Sequence, residues 1–399
     1  MNKIKYILFF FLSIIFFIVI FEFISAITMK FVIGKRTRDY QERMIILELY
    51  KDIDLETYME DRKYFNNDLL YDPYRGFKSP PNFKSTFINT DKYGRRLSSY
   101  VSTDHKADLV IGLFGGSTML GIGAEGDENT IPGHLQKLIN NYCKTNSVKI
   151  INNGVGSYNQ TQSMIWLVES LGFQRYDYVI FYDFVNETQH ANNELFFTSS
   201  LDHELPARFL TYQYTFYIPP RYKKAKVFRF TKQFQKTNTY RVSKIIYSKL
   251  INILSIQKEQ KKINKKEIKY DRTKAKIKRL IRNYAENMRV INSLGKDYGF
   301  VAYFIMQPTL FTKINLSSNE KTIPHLNDKH YINFEKLVYK ESKNFLRYKK
   351  NFKDMSDIFD NEKSTIYLDD HHMSSKGYLL VAKKIFQFLE SENENICKD

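Results

Sequence analysis

Asp108-Leu-Val-Ile-Gly-Leu-Phe114 is an unbroken apolar run of strand length, and it stops at the turn-forming Gly115-Gly-Ser-Thr-Met-Leu-Gly121. A short apolar run bounded by such a turn reads as a strand buried on both faces. Working outward, Ile131–Asn141 has helical spacing, Val148–Asn152 reads as a strand, Thr161–Leu171 as a helix and Tyr178–Tyr182 as a strand. Farther on come a helix over Lys276–Leu294, a strand over Phe300–Ile305, a last short strand over Thr365–Leu368 and a helix from about Ser375 to Leu389. Strands alternating with helices predict an α/β fold, a three-layer α/β/α sandwich around a mostly parallel sheet. Such sheets bind ligands at the carboxyl ends of their strands.

Four stretches fall at those ends. They are Phe114-Gly-Gly-Ser-Thr-Met-Leu-Gly121, Asn152-Asn-Gly-Val-Gly-Ser-Tyr-Asn159, Phe181-Tyr-Asp-Phe-Val-Asn-Glu187 and Leu368-Asp-Asp-His-His-Met-Ser-Ser-Lys-Gly377. In that order they offer a hydroxyl, backbone donors, an amide donor and an acid–base pair, the parts of an acyl-transfer site. A serine hydroxyl is a weak nucleophile until a base takes its proton, and a carboxylate can orient that base. An amide N–H can donate to the oxyanion that acyl attack creates. Each motif alone has a plainer reading. Ser117 can cap a helix, Asn186 can satisfy a turn, and the histidine pair can cap a helix or bind metal. No second His/Cys/acid cluster sits at ligand spacing, so no metal is expected. Asp370 is the alternative orienting acid.

The order and wording of these motifs resemble the SGNH (GDSL-type) hydrolase family, in the form found in membrane-linked bacterial members. The resemblance covers roughly residues 108–190 and 296–390, and includes Met306-Gln-Pro308. It implies a flavodoxin-like sandwich with Ser117 as nucleophile, His372 as base and Asp369 as its partner. The offset to Gly377 selects His372 over His371. It further implies an oxyanion hole from Asn186, the Ser117 amide and an amide at Gly156 or Ser157. No cofactor is implied. The implied substrate is an acyl, notably acetyl, ester of a surface or cell-wall glycan, with the acyl group passing to water or to a sugar hydroxyl. The sequence departs from the family pattern at Gly116 and Glu187, where aspartates are usual, and at Phe184 and Ser157, where glycines are usual.

Gly121-Ile-Gly-Ala-Glu-Gly126 matches the dinucleotide fingerprint, but it begins past the strand end and Asp127-Glu128-Asn129-Thr130 follows in place of a helix. That context fails the motif, and nucleotide binding stays a rival only in form. The other rival is a non-catalytic scaffold of surface-polysaccharide assembly that keeps the fold.

The chain has 399 residues and a net charge of +18. Residues 221–282 hold 22 Lys/Arg against Glu259, Glu267 and Asp271, so the rest is near neutral. This segment lies mostly in an insertion over about 190–275, opened at Pro219-Pro220 and holding a short helix over Ile245–Ile253. It reads as a solvated cationic surface or a contact for anionic glycan or lipid headgroups. No nucleic-acid module is visible. Residues 6–29 are apolar except for Ser13, Glu22, Ser25 and Thr28, about the 20 residues of a membrane-spanning helix. The expected organisation is an anchor over 1–35, an extension over 36–107 and a catalytic domain over 108–399, outside the cytoplasm. Basic residues after the anchor oppose that orientation, but long domains translocate largely regardless of flanking charge. Within the extension, Tyr40–Tyr50 has helical spacing, and Phe87–Gly94 reads as a short strand and turn. The two cysteines imply no disulfide framework. Cys397, in a polar tail, is expected to stay apart from Cys143.

Overall fold

The computed structural model describes residues 2–27, 38–98, 107–143, 147–192, 239–240, 242–243, 265–392 and 396–397. Most of the insertion, with Pro219-Pro220 and the helix expected over Ile245–Ile253, lies outside the described residues. The chain divides into two units, one containing α1 and the other running from Glu42 through the sheet to the last helix.

In the first unit, α1 spans Asn2–Ile27. Its single acid, Glu22, accepts hydrogen bonds from the Thr239 amide (2.9 Å) and hydroxyl (2.7 Å). Among the described residues no helix is long and apolar enough to cross a membrane. The described side chains of α1 are Ser13 and Phe16–Ile27, so the anchor expected over residues 6–29 extends past them.

Helix α2 (Arg38–Leu49) begins in the first unit and enters the second at Glu42, followed by α3 (Leu55–Asn67) and a hairpin of β1 (Leu70–Asp72) and β2 (Gly76–Lys78). The strand expected near Phe87–Gly94 is only a turn closed by a single Thr90–Arg96 bridge. The core then alternates: β3 (Leu109–Gly115), α4 (Ser117–Leu120), α5 (Ile131–Tyr142), β4 (Val148–Gly154), α6 (Gln160–Leu171), β5 (Tyr178–Asp183) and α7 (Val185–Asn192). It resumes with α8 (Lys265–Tyr298), β6 (Val301–Met306), α9 (Lys329–Leu346), β7 (Phe352–Asp354) and α10 (Ser375–Glu392).

Strands β3 to β7 form one parallel sheet in the order β4-β3-β5-β6-β7. Side chains alternate between its faces. Ile180, Tyr182, Tyr303 and Ile305 meet Leu135 and Ile139 of α5 and Val381 and Ile385 of α10. Val179, Phe181, Phe304 and Met306 meet Trp166 of α6, Leu280 and Met288 of α8 and Val338 of α9. Burial on both faces explains the continuous apolar strands.

Two sequence expectations are corrected here. Residues 365–368 form no strand, because the Ile366 and Tyr367 amides donate to the Glu320 carboxylate (2.9 and 3.1 Å) instead of to a neighbouring strand. The fifth strand is β7, three residues long and entered through Asn351 at φ +64°, too short to show a period. The cysteines are also corrected: Cys143 and Cys397 form a disulfide. Ile396 is buried beside them, its carbonyl oxygen 3.7 Å from the Cys143 sulfur. Packing of this one apolar residue draws the polar tail onto α5.

Candidate active site

The sheet order reverses direction at β3, with β4 on one side and β5 on the other, and the crevice at such a switch point is where ligands bind. The loops after these three strands carry Ser117, Gly156-Ser157 and Asn186.

Ser117 opens α4, which is closed by Gly121 at φ +90°, its amide returning to the Ser117 carbonyl. The carbonyls at the end of this short helix are held by Arg96, whose Nη1 donates to Leu120 O (3.2 Å) and Gly121 O (2.8 Å). Arg96 is 2% exposed and its charge is matched by Asp127 at 2.7 Å. Thr118 Oγ1 donates to Gln307 Oε1 (2.6 Å), tying this turn to the end of β6.

Residues 366–374 fold back on themselves, with Leu368 N donating to His372 O and Ser374 N to Ile366 O. Inside this bend, Asp369 Oδ1 accepts from the His371 and His372 amides (3.0 and 2.7 Å). Asp369 Oδ2 lies 2.7 Å from His372 Nδ1, and His372 Nε2 lies 2.7 Å from Ser117 Oγ. A carboxylate can only accept, so Nδ1 carries the proton and Nε2 is left to receive one from the serine. Burial lowers the His372 pKa and outweighs the opposing pull of Asp369. The ring is therefore neutral, and basic, at pH 7.

Asn186 Nδ2 donates one hydrogen to Tyr158 O at 2.7 Å, and its amide carries a second. Gly116 makes room for it, because a Cβ at that position would overlap Nδ2. The aspartate that the family resemblance expects there would displace Asn186. The Val155–Tyr158 turn is closed by Tyr158 N donating to Val155 O, and Ser157 sits in it at φ +63°. Among the described residues, the amides of Ser117, Gly156 and Ser157 donate to no backbone carbonyl outside regular elements. Phe184 stands at φ +102°. Both positions where glycine was expected thus keep a glycine-like backbone under an L side chain, a strained state that surrounding structure must hold. Phe184 is fully buried and edge-on to Tyr284 and Tyr339. Glu187 clamps the two loops together, accepting from Gln160 N (2.5 Å) and Phe184 N (2.9 Å).

The structure thus brings Ser117, His372 and Asp369 into one line and sets Asn186 and the Gly156-Ser157 turn beside them. Asp370 is turned away from His372, and pairs with His371 at 2.9 Å. Gly121–Gly126 forms the turn after α4, where Cβ atoms at Gly121 and Gly123 would strike Thr130 and Met373. Asp369, His371 and His372 place ligand-type atoms within 4.8 Å of one another, but both His372 nitrogens are already engaged. Sequence reading missed Arg96 and the roles of Gln307 and Glu187, although the Met306-Gln-Pro308 wording and the departure from aspartate at Glu187 marked the last two. Their partners lie far off in the chain.

One substitution isolates the Asn186 contact. Gly116→Ala is expected to leave the fold intact and lower kcat on an ester about 10- to 100-fold, less than the loss from deleting an oxyanion donor outright. Steady-state kinetics beside a thermal melt check it.

No family model matches the chain, and no curated protein does. Solved structures do match. It is similar to esterases. A variant of an acetylxylan esterase from Geobacillus stearothermophilus is 10% identical, with 74% of this chain and 100% of that one covered at TM-score 0.39. A putative lipolytic protein of the G-D-S-L family from Desulfitobacterium hafniense is 9% identical, with 70% and 99% covered at TM-score 0.35. With identity and superposition this low, the functional reading rests on the geometry of the site.

Proposed function

We propose that this protein is a serine esterase or O-acyltransferase of the SGNH type, acting on acyl esters of a surface or cell-wall glycan. The observation that carries the proposal is the continuous Ser117–His372–Asp369 line with Asn186 beside it. Ser117 Oγ attacks the ester carbonyl while His372 Nε2 takes its proton. Asp369 holds the ring and stabilises the imidazolium. The oxyanion receives the free Asn186 N–H, the Ser117 amide and an amide of the Gly156-Ser157 turn. His372 then gives its proton to the departing alkoxide, leaving an acyl-enzyme on Ser117. Water or a sugar hydroxyl, deprotonated by His372, takes the acyl group and restores the serine.

The anchor over residues 6–29 and a catalytic unit outside the cytoplasm belong to this proposal. The Cys143–Cys397 disulfide supports the location, since such bonds persist in oxidising compartments. The basic segment 221–282 would meet anionic glycan or lipid headgroups there.

Labelling with a fluorophosphonate tests the proposal. Mass spectrometry should find one adduct on Ser117, and labelling should be blocked by His372→Ala. An unlabelled protein would favour the non-catalytic scaffold. The pH profile gives a second check. Because the buried His372 titrates below its ordinary 6.5, it is neutral above that pH and charges only as the medium turns acid. The acid limb of kcat/KM is therefore expected below pH 6.5. A midpoint above pH 7 would remove His372 from the role of base.

A further inference from the structure

A cleft of about 820 Å³ opens at the carboxyl end of the sheet, a volume in the range of ligand sites, and the chemistry just described does not use it. One wall is the segment after β6, from Ile314 to Lys321. The other is residues 363–365, which run straight into the bend that carries Asp369 and His372, together with Lys376, four residues past His372. The two walls are pinned to each other. Ser317 Oγ and Thr365 Oγ1 lie 3.0 Å apart, and Asn319 Nδ2 donates to Thr365 Oγ1 at 3.3 Å. Behind them Glu320, paired with the buried Lys313, accepts from Ser317 N at 2.8 Å. A cleft already held in shape spends little ordering entropy when a ligand enters. Its lining carries Lys321, Lys363 and Lys376 against one acid, Glu48. Lys376 is partly matched, with Nζ 3.3 Å from Glu362 Oε2 and donating to Ser364 Oγ at 2.5 Å. Lys321 and Lys363 are exposed and pair with no carboxylate among the described residues. The surplus of positive charge draws an anion.

We propose that this cleft binds an anionic oligosaccharide and holds the polymer while an ester farther along it reaches Ser117. The inference rests on the serine-ester chemistry proposed for Ser117. The site is distinct from the basic segment 221–282, no residue of which is among those lining the cleft. Its groups select the ligand. The negative groups of the sugar fall to Lys321 and Lys363. Glu48 repels a bare anion such as free phosphate but accepts from sugar hydroxyls, and the Ser318 hydroxyl both donates and accepts. Leu49 and Ile314, the latter 72% exposed, offer an apolar strip to the C–H face of a sugar ring. No aromatic ring is among the described residues lining the cleft, so nucleobases find nothing to stack on. A polymer carrying both hydroxyls and negative charge therefore fits better than an inorganic anion or a nucleic-acid strand.

Titration calorimetry on the full-length protein in detergent tests this with tetragalacturonate, its neutral counterpart maltotetraose, and hexaglutamate. Tetragalacturonate is expected to bind more tightly than either of the others. Its Kd should rise about tenfold in Lys321→Gln/Lys363→Gln, the size of two exposed ion pairs, and binding should be lost in Ser318→Trp, which fills the cleft from an exposed position. Two independent variants keep the result readable if one fails to fold. Lys349→Gln/Lys350→Gln, outside the cleft, should bind like wild type. Wild type that does not bind tetragalacturonate, or cleft variants that melt and bind like wild type, overturn the site. Equal binding of hexaglutamate overturns its saccharide character, and an equal loss in Lys349→Gln/Lys350→Gln reduces the effect to net charge and overturns it as well. Binding needs no turnover, so the two readings fail separately. A protein that binds tetragalacturonate but leaves its O-acetylated form intact, with Ser117 unlabelled by fluorophosphonate, loses the serine chemistry and keeps the cleft. The same result with Ser117 labelled overturns delivery from the cleft to the serine.

Discussion

Ser117→Ala is expected to lower p-nitrophenyl acetate hydrolysis by about 10⁶-fold, the loss seen when the nucleophile of a serine triad is removed. The reason is local. His372 Nε2 stands 2.7 Å from Ser117 Oγ, so the variant keeps a base with no proton to take and an oxyanion site with no attack to stabilise. The substitution removes one oxygen from a half-buried position, and stability should hardly change. Equal rates in wild type and variant, at matched concentration and with matching circular dichroism, would move the protein to the scaffold reading.

The largest expected effect on stability comes from Lys313→Met. Lys313 Nζ and Glu320 Oε2 form an ion pair at 2.6 Å with both side chains fully buried. Glu320 also accepts from the amides of Ser317, Ile366 and Tyr367, and Lys313 donates to Ser364 O. Removing the lysine leaves a buried carboxylate without its counter-charge, which costs about 3–5 kcal/mol. Urea unfolding should show that loss. A Lys313→Met/Glu320→Gln double variant should recover part of it, since the lone charge is then gone. A single-variant loss under about 1 kcal/mol would contradict the account of the pair as a buried one. Residues 366 and 367 lead directly into Asp369 and His372, so the same variant should also slow catalysis by loosening the base.

What the chain reveals unaided follows from how each feature is encoded. Strands β3 to β6 are buried on both faces and appear as apolar runs. The helices between them carry their spacing openly. The four motifs are local, so Ser117, Asn186, Asp369 and His372 can be picked out without a structure. Features that depend on distant partners stay hidden. Glu320 takes the amides of residues 366 and 367 away from any strand, and nothing near either residue announces it. Arg96 reads as one more basic residue of an extension until its guanidinium is seen to hold the carbonyls of Leu120 and Gly121. Phe184 and Ser157 read as departures from glycine, but the left-handed backbone survives at both. Residue type alone does not report it.

The bond between Cys143 and Cys397 also changes the polymer problem that the chain faces before it folds. The proposed nucleophile and base are 255 positions apart in sequence. Cys143 lies 26 residues beyond Ser117, and Cys397 lies 25 beyond His372. Through the sulfur bridge the tether between the two catalytic groups is about five times shorter. Loop-closure entropy scales with the logarithm of that length, so bringing them together costs about 1.4 kcal/mol less in the oxidised chain than in the reduced one. A bridge that touches neither group thereby raises their effective concentration for each other.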